Sequence, residues 1–398
     1  MKRIITALLI LLAALAITGC EEAVIIPTDQ FQKRPYLLYT NDNTSMTVAW
    51  QTTGQTQHAY IDWGSSTTYT NRSVVWGDSA NLYTFTIEGL TPQSRTYYQV
   101  TVANESATGS FMTAPLAAAT NLTFYAYGDN RDGPIAQDGL LARLLIDMRA
   151  LPDDRQTFCL HGGDLTFYGL DENQWDEYFF NREYTSTLDF LAQFPVMIAL
   201  GNHEGYSASY LHEDQPGLLA RKYWPYPYYA ETGESYYSFD YGPAHFTVID
   251  QYSNNKSYTI ESSAQYNWIE ADLLATAKPW KFVVFHEPAW TASTQEGYHG
   301  NNTTIQQELC PVFAQNGVQV VIQGHQHFYA RVSPPDGRQY LTLGGGGAAL
   351  NPPDANAAYL AASAQAFHFA RFDIEGDVLT VSVLDENGAL LDQFSVSK

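Results

Sequence analysis

Short alternating runs of apolar and polar residues fill the chain from residue 34 to about residue 114. Residues 46–50 and 97–102 are examples, and turn residues such as Thr53-Gly54 separate the runs. Alternation with a period of two gives a strand one buried face and one exposed face. Regular short strands with turn signals between them predict an all-β sandwich over residues 34–115.

The pattern changes after Ala114-Pro115, where apolar strand-like runs begin to alternate with helical spacing. The predicted strands are residues 121–127, 158–161, 195–200, 281–285 and 318–323, and the predicted helices lie around residues 140–148, 264–275 and 305–316. The tail at 367–396 returns to strands. Alternation of this kind predicts an α/β domain over residues 120–398.

The first twenty residues have a different composition. Lys2 and Arg3 precede an apolar run over residues 4–17, which is too short for a membrane span and is typical of a signal peptide. Residues 17–20 resemble a bacterial lipobox, which implies cleavage before Cys20 and acylation of that residue; the alternative is an ordinary signal peptide with an incidental cysteine. We therefore expect an exported protein of the bacterial cell envelope, lipid-anchored at Cys20 and joined by a tether over residues 21–33.

Charge and cysteine content exclude several classes of function. The chain has 42 acidic and 20 basic residues and a net charge of −22, so nucleic-acid binding is not expected. An anionic substrate would then need a local cationic feature such as a metal ion. Besides Cys20, Cys159 and Cys310 are the cysteines present. We expect buried free thiols, and the lack of a Cys-x-x-Cys pair excludes a finger-type zinc site.

Five short polar clusters each follow an apolar strand-like run. They are Gly128-Asp129-Asn130-Arg131, Gly163-Asp164, Gly201-Asn202-His203-Glu204, His286-Glu287 and Gly324-His325-Gln326-His327. Because the carboxyl ends of strands converge in α/β sheets, these loops can build one site. Carboxylates, an amide oxygen and imidazoles are the ligands that Zn, Mn or Fe ions prefer. Each cluster alone is a common turn or structural motif, but the ordered set indicates a metal centre.

The set resembles the motifs of the calcineurin-like metallophosphoesterase superfamily: Asp-x-His, Gly-Asp, Gly-Asn-His-Asp/Glu, a later His, and Gly-His-x-His. The closer resemblance is to the purple acid phosphatase branch, through residues 34–37, 45–50, 89–92, 97–98, 327–331 and 344–347. It implies a four-layer α/β/β/α metallophosphoesterase sandwich preceded by a fibronectin-III-like domain.

The resemblance also implies a role for each motif residue and a centre of two metal ions (Fe, Zn or Mn). Asp164 would bridge the ions, with Asn202, His286 and His325 on one and Asp129 and His327 on the other. His203 would protonate the leaving group, oriented by Glu204.

Two positions depart from the family pattern. Arg131 replaces a histidine ligand, and Phe167 replaces the tyrosine that colours the iron of purple acid phosphatases. Arg131 has no lone pair to offer a metal, so the second metal should bind more weakly. Its planar fork could instead bind phosphate oxygens, or it could form a salt bridge to Asp129 or Asp132.

These residues suit hydrolysis of phosphate esters by a metal-bound hydroxide, with a phosphorylated small molecule or nucleotide as substrate. The alternatives are a phosphodiesterase or nucleotide hydrolase of the same fold, and a non-catalytic surface binding protein that retains the fold. We expect the β-sandwich to be a scaffold, although a ligand-binding module remains an alternative. The aromatic segment 206–229 could line a pocket or simply pack between strands.

Overall fold

The computed structural model describes residues 30–54, 58–208, 217–230, 234–252, 263–294 and 300–398. The predicted signal peptide, Cys20 and most of the predicted tether lie outside these residues. Within the described ranges, no helix has the length and apolar character needed to cross a membrane.

Seven strands form the N-terminal all-β sandwich. They are β1 (Phe31–Leu38), β2 (Met46–Thr52), β3 (Ala59–Gly64), β4 (Asn71–Val75), β5 (Leu82–Ile87), β6 (Arg95–Val102) and β7 (Glu105–Met112). One antiparallel sheet has the order β1-β2-β5 and the other the order β4-β3-β6-β7. This architecture fits a fibronectin-III-like region, as predicted.

The start of the sandwich corrects one predicted boundary, because β1 begins at Phe31, inside the segment assigned to the tether. Phe31 and Lys33 are both fully buried. The Lys33 amine donates to Asp176 at 2.5 Å and to Gln51 at 2.7 Å, and it lies 4.4 Å from the Tyr223 ring centroid. Lysine seldom occupies a buried strand position, so Gln51 of the neighbouring strand β2 and the two partners in the second domain, Asp176 and Tyr223, explain why the strand extends through it.

The larger domain contains two mixed sheets with helices outside them. Its strands are β8 (Asn121–Tyr127), β9 (Cys159–His161), β10 (Val196–Ile198), β11 (Tyr237–Tyr241), β12 (Ala244–Val248), β13 (Trp280–Val284), β14 (Val320–Gln323), β15 (Tyr329–Val332), β16 (Gln339–Leu343), β17 (Leu360–Ala364), β18 (His368–Glu375), β19 (Val378–Asp385) and β20 (Leu390–Ser397). The sheet orders are β10-β9-β8-β18-β19-β20 and β11-β12-β13-β14-β16-β15-β17. In each sheet the strands that lead to the polar clusters run parallel to one another.

The helices of this domain are mostly short. They are α1 (Pro134–Ala150), α2 (Glu172–Gln174), α3 (Thr185–Leu191), α4 (Leu218–Tyr223), α5 (Ala264–Ala275), α6 (Thr303–Glu308) and α7 (Cys310–Gln315). The predicted helix over 305–316 is therefore two helices. Pro311 lies in the first turn of α7, and proline cannot continue a preceding helix because it lacks an N–H and its ring clashes with the turn before it.

Aromatic packing joins the two sheets face to face. The Phe124 ring stacks on Phe372 of its own sheet at 4.5 Å and meets the edges of Phe246 and Phe282 of the other sheet at 5.0 and 5.1 Å. Helix α1 covers the first sheet through leucines at the predicted spacing, and α5, α6 and α7 cover the second. The predicted four-layer α/β/β/α arrangement is confirmed, and Cys159 and Cys310 are free and buried, as expected.

Candidate metal centre

The carboxyl ends of the central strands from both sheets meet at one place. Asp129 follows β8, Asp164 follows β9 and Asn202 follows β10, while His286 and His325 follow β13 and β14 of the other sheet. All six predicted metal ligands are buried, with residue exposures of 0–7 % for Asp129, Asp164, Asn202, His286, His325 and His327. The structure therefore brings the whole predicted donor set together.

The backbone at these loops is forced into rare conformations. Asp129, Asp164 and His325 have φ values of 63°, 58° and 69°, in the left-handed region that non-glycine residues seldom adopt. A Cβ on Gly201 would lie 2.1 Å from Asp164 Oδ1, and one on Gly324 would lie 2.5 Å from Asp129 Oδ2. The motif glycines thus leave room for the carboxylates, and strain of this kind is concentrated at functional sites.

Four donor atoms converge on one side of Asp164, which we call the first site. His286 Nδ1 donates to the Gly162 carbonyl at 2.7 Å, so its Nε2 atom faces Asp164 Oδ1 at 3.3 Å. His325 Nδ1 lies 3.1 Å from Asn202 Oδ1 and 3.3 Å from His286 Nε2. Lone pairs of nitrogen and oxygen atoms that face one another this closely fit a bound transition-metal ion.

Two donor residues lie on the other side of Asp164, and together with Asp164 they form what we call the second site. The ligand atoms of Asp129, Asp164 and His327 lie within 4.8 Å of one another. His327 Nδ1 donates to the Ala349 carbonyl at 2.8 Å, which leaves Nε2 free, 3.8 Å from Asp129 Oδ1. These residues also fit a metal ion, although with fewer protein donors than the first site.

The electrostatics of the cavity favour positive charge. Burial alone would lower the pKa of His286, but the nearby carboxylates of Asp164 and Asp129 raise it to about 10. Burial raises the pKa of Asp129 to about 7, with Asp164 adding to the increase. Buried carboxylates at this spacing stabilise a cation among them, and a metal ion meets that requirement.

His203 lies at the edge of this cluster, where its side chain keeps 13 % exposure. Its Nδ1 bonds to the Phe167 carbonyl at 2.7 Å, and its Nε2 lies 4.0 Å from Asp164 Oδ2. Burial lowers its pKa, an effect that Asp164 partly offsets. The ring is thereby fixed with one nitrogen facing the cavity.

The prediction that Glu204 orients His203 is wrong. The Glu204 carboxylate accepts the backbone N–H groups of Gly201, Asp164 and Leu165 at 2.7, 2.9 and 2.8 Å, and the carbonyl of Phe167 holds the His203 ring instead. Adjacent residues on a helical turn do not face each other, which is why these two side chains diverge. Glu204 instead joins two ligand loops, and burial raises its pKa to about 8.

Arg131 lies beside the second site, with 18 % of its side chain exposed. One guanidinium nitrogen is 3.5 Å from Asp132 Oδ2, and Nε is 3.5 Å from Asp164 Oδ2. Of the two carboxylates proposed from the sequence as salt-bridge partners, Asp132 is therefore in range, whereas Asp129 is replaced by Asp164. The guanidinium carbon also lies 5.2 Å from the centroid of the Phe167 ring.

Sequence reasoning missed the residues that support the ligand loops. Gln251 Oε1 accepts the backbone N–H of His286 at 2.9 Å. His161 Nδ1 accepts the N–H of Gly163 at 3.2 Å, and its Nε2 bonds to Asn130 at 2.7 Å. Burial lowers the pKa of His161 to about 3, so it stays neutral. Gln251 directly follows an apolar strand, as the five clusters do, and that position was a usable signal.

The aromatic segment 206–229 divides between two roles in its described part. Trp224 and Tyr226 donate to the Val196 carbonyl at 3.1 and 2.8 Å and are buried, as the packing alternative predicts. Tyr206 instead lies next to His203, with 4.9 Å between the ring centroids.

Comparison with known proteins agrees with this site. The family model of the calcineurin-like phosphoesterases matches residues 123–329, so the chain belongs to that family of phosphoric ester hydrolases. Membership implies a dinuclear metal centre. The predicted family and enzyme class are thus confirmed.

Three similar proteins are purple acid phosphatases. Purple acid phosphatase 18 of Arabidopsis thaliana is 26% identical over 320 residues, which cover 77% of this chain and 67% of the relative. A purple acid phosphatase of Glycine max is 28% identical over 323 residues, 73% of this chain and 66% of the relative. The structure of purple acid phosphatase PPD1 from yellow lupin (Lupinus luteus) superposes with a TM-score of 0.73 at 17% identity, covering 91% of this chain and 74% of that one. The chain spans about two thirds of the length of these curated relatives.

Proposed function

We propose that this protein is a metal-dependent phosphatase that hydrolyses phosphate esters of small molecules or nucleotides at the bacterial cell envelope. The observation that carries the proposal is the convergence of five buried donor residues around the buried Asp164, with His203 Nε2 only 4.0 Å from that carboxylate. A site with this composition addresses the two difficulties of the reaction, which are the negative charge of the substrate and the poor leaving group.

The donor residues have the first task, because they would hold the ions close to the phosphate. Asn202, His286 and His325 would hold one ion, Asp129 and His327 the other, and Asp164 would contact both. When bound, such ions would offset the charge of the phosphate and acidify a water molecule. The Gly162 and Ala349 carbonyls fix the imidazole tautomers that this requires.

His203 has the second task. The hydrogen bond from its Nδ1–H to the Phe167 carbonyl leaves Nε2 directed toward the cavity, where the protonated, imidazolium form of the ring can donate the Nε2 proton to the departing oxygen. No covalent enzyme nucleophile is needed, since hydrolysis is completed by water.

Turnover of model substrates by the purified chain tests this function. The chain is loaded with Zn, Mn or Fe and assayed with p-nitrophenyl phosphate and bis(p-nitrophenyl) phosphate, with and without a chelator. We expect chelator-sensitive turnover that is higher for the monoester. Preference for the diester would favour the phosphodiesterase alternative. If no substrate is turned over and His203→Ala is indistinguishable from wild type, the protein is a non-catalytic binding protein.

The envelope location has a separate test. Replacement of Cys20 by Ala removes the residue proposed to carry the lipid. We expect the variant to leave the membrane fraction of an expressing bacterium, whereas wild type stays in it. Equal fractionation of the two proteins would exclude the anchor.

A further inference from the structure

Arg131 and Phe167, the two positions that depart from the family pattern, are in contact with each other beside the second site. The guanidinium carbon lies 5.2 Å from the centroid of the Phe167 ring, within the range of a cation–π interaction. A histidine and a tyrosine at these positions would both offer lone pairs to a metal, whereas an arginine and a phenylalanine offer none. The two departures therefore form one feature of the cavity.

The guanidinium is not fully engaged by the protein. Its carboxylate neighbours, Asp132 and Asp164, are each 3.5 Å away, longer than the 2.7–2.9 Å of a strong charge-assisted hydrogen bond. Arg131 Nε is buried and has no hydrogen-bond partner among the described residues. An arginine carries five N–H donors, so donors remain for a ligand in the cavity.

The positively charged guanidinium of Arg131 faces the groups that would take part in the reaction. Its Nε lies 3.5 Å from Asp164 Oδ2, and His203 Nε2 lies 4.0 Å from the same oxygen. A phosphate held between the two sites would meet this guanidinium next to the leaving-group side, where His203 lies. Planar pairing of a guanidinium with two phosphate oxygens is the geometry for which arginine is suited.

We propose that Arg131, supported by Phe167, takes over part of the role of the second metal ion by binding the phosphoryl oxygens directly. The protein then holds one ion tightly at the first site and a second ion weakly. This inference rests on the proposed function, but its tests measure binding and not only turnover.

Metal stoichiometry is the first test. The full metal-depleted chain is dialysed to equilibrium against Zn²⁺ and then subjected to elemental analysis. This measures how many ions bind per chain and how tightly each one binds. We expect wild type to bind the second equivalent at least tenfold more weakly than the first. Arg131→His should tighten the second equivalent at least tenfold, and Arg131→His with Phe167→Tyr should tighten binding of a second Fe³⁺ and give a visible tyrosinate-to-iron absorption band.

A control variant separates this effect from adventitious binding by a new histidine. Arg149 is 44 % exposed and pairs with Asp189 on the protein surface, away from the metal centre. Arg149→His should bind Zn²⁺ as wild type does. Two equivalents of similar affinity in wild type, unchanged by Arg131→His, would overturn the proposal.

Phosphate binding is the second test. Titration calorimetry of inorganic phosphate into the zinc-loaded chain is compared for wild type, Arg131→Gln, Arg131→Lys and Arg149→Gln. We expect the dissociation constant to rise at least tenfold for Arg131→Gln, less for Arg131→Lys, and not at all for Arg149→Gln. Equal phosphate affinity in all four folded proteins would refute the role of Arg131. Arg131-dependent phosphate binding without any turnover would refute the proposed function and leave this inference standing.

Discussion

The two halves of the metal centre share one carboxylate, Asp164, yet they differ in what surrounds it. On the first side Asn202, His286 and His325 complete a set of four donors within 3.1–3.3 Å of one another along the chain of contacts. On the second side, within the part of the chain that the structure describes, Asp129 and His327 join Asp164, and Arg131 lies beside them, 3.5 Å from the Asp164 carboxylate. The difference shows that one buried carboxylate can lie between two sets of side chains, one rich in donor atoms and the other carrying the fixed positive charge of Arg131.

Removing a ligand from each side should give the largest effects and tests the asymmetry directly. His286→Ala should lower the affinity for the first, tightly bound metal equivalent. The loss should exceed the ~100-fold that is typical of losing an outer-shell partner. Turnover should fall more than ~1,000-fold, because a bound metal contributes several kcal/mol of charge stabilisation. Elemental analysis and steady-state assays check both effects.

His327→Ala is the matched variant from the second side. The affinity for the first, tightly bound metal equivalent should stay within a few-fold of wild type, and only the affinity for the second equivalent should fall. Equal loss of the first equivalent in both variants would show that the two sides are one cooperative unit and would end the comparison.

The next largest effect is expected at His203, which belongs to neither set of ligands. His203→Ala should lower turnover by ~10²–10³-fold at unchanged metal content, because it removes the proton donor. The loss should be smaller for esters with good leaving groups, such as p-nitrophenyl phosphate, than for alkyl phosphates. A uniform loss across leaving groups would argue against proton donation.

A smaller effect is expected at the backbone that links the two sides. Gly163 has φ of +98°, and a Cβ there would lie 2.6 Å from Gly201 N and 2.7 Å from His286 Nδ1. Gly163→Ala should lower the free energy of unfolding by about 1–3 kcal/mol, measured in urea, and loosen the tight metal. Gly139→Ala on helix α1, where nothing lies within 4 Å, is the control and should stabilise by about 0.5–1 kcal/mol.

The smallest expected effect comes from a histidine that meets two carboxylates outside the metal centre. Burial would lower the pKa of His245, but hydrogen bonds to Asp240 at 2.8 Å and Asp272 at 3.0 Å raise it to about 9. At His245 the bound proton supplies the positive charge that a metal ion would supply beside His286. Because the folded pKa exceeds the unfolded value of ~6.5, the stabilisation is complete below about pH 6.5 and is lost as the pH rises through about 9.

Unfolding in urea between pH 6 and pH 10 measures this contribution, which should not exceed ~3 kcal/mol. The Lys278 amine lies 3.6 Å from Asp240, the same carboxylate that His245 meets. His245→Gln should flatten the curve relative to wild type. A difference between the two proteins that does not vary with pH would mean that His245 is neutral in the folded state.

The sequence pattern predicted the fold, and it predicted which side chains come together after the strands, because both depend on local features. Strand β8 and helix α5 were predicted to the residue, since their apolar periodicity and flanking turn residues lie within the elements themselves. The six ligands were named from the resemblance of their motifs to those of the calcineurin-like family, and the position of each motif after a strand predicted that they lie at a common edge. The split between α6 and α7 was missed although Pro311 signals it.

Partners that are distant in the chain could not be predicted in this way. Glu204 binds the N–H of Asp164, 40 residues away, and Asp129 binds the N–H of His325, 196 residues away. Two other contacts also join residues that are distant in the chain. Arg131 approaches Asp164 and not Asp129, and Lys33 is buried against the second domain.

The sequence by itself determined which chemical groups this protein can bring to a phosphate, and in what order the chain supplies them. Only the tertiary structure decided which of those groups face one another, and hence that Arg131 lies beside Asp164 and that Glu204 supports the ligand loops. The physical reason is that periodicity records burial along one element, whereas side-chain partners depend on how two sheets and their loops pack in space.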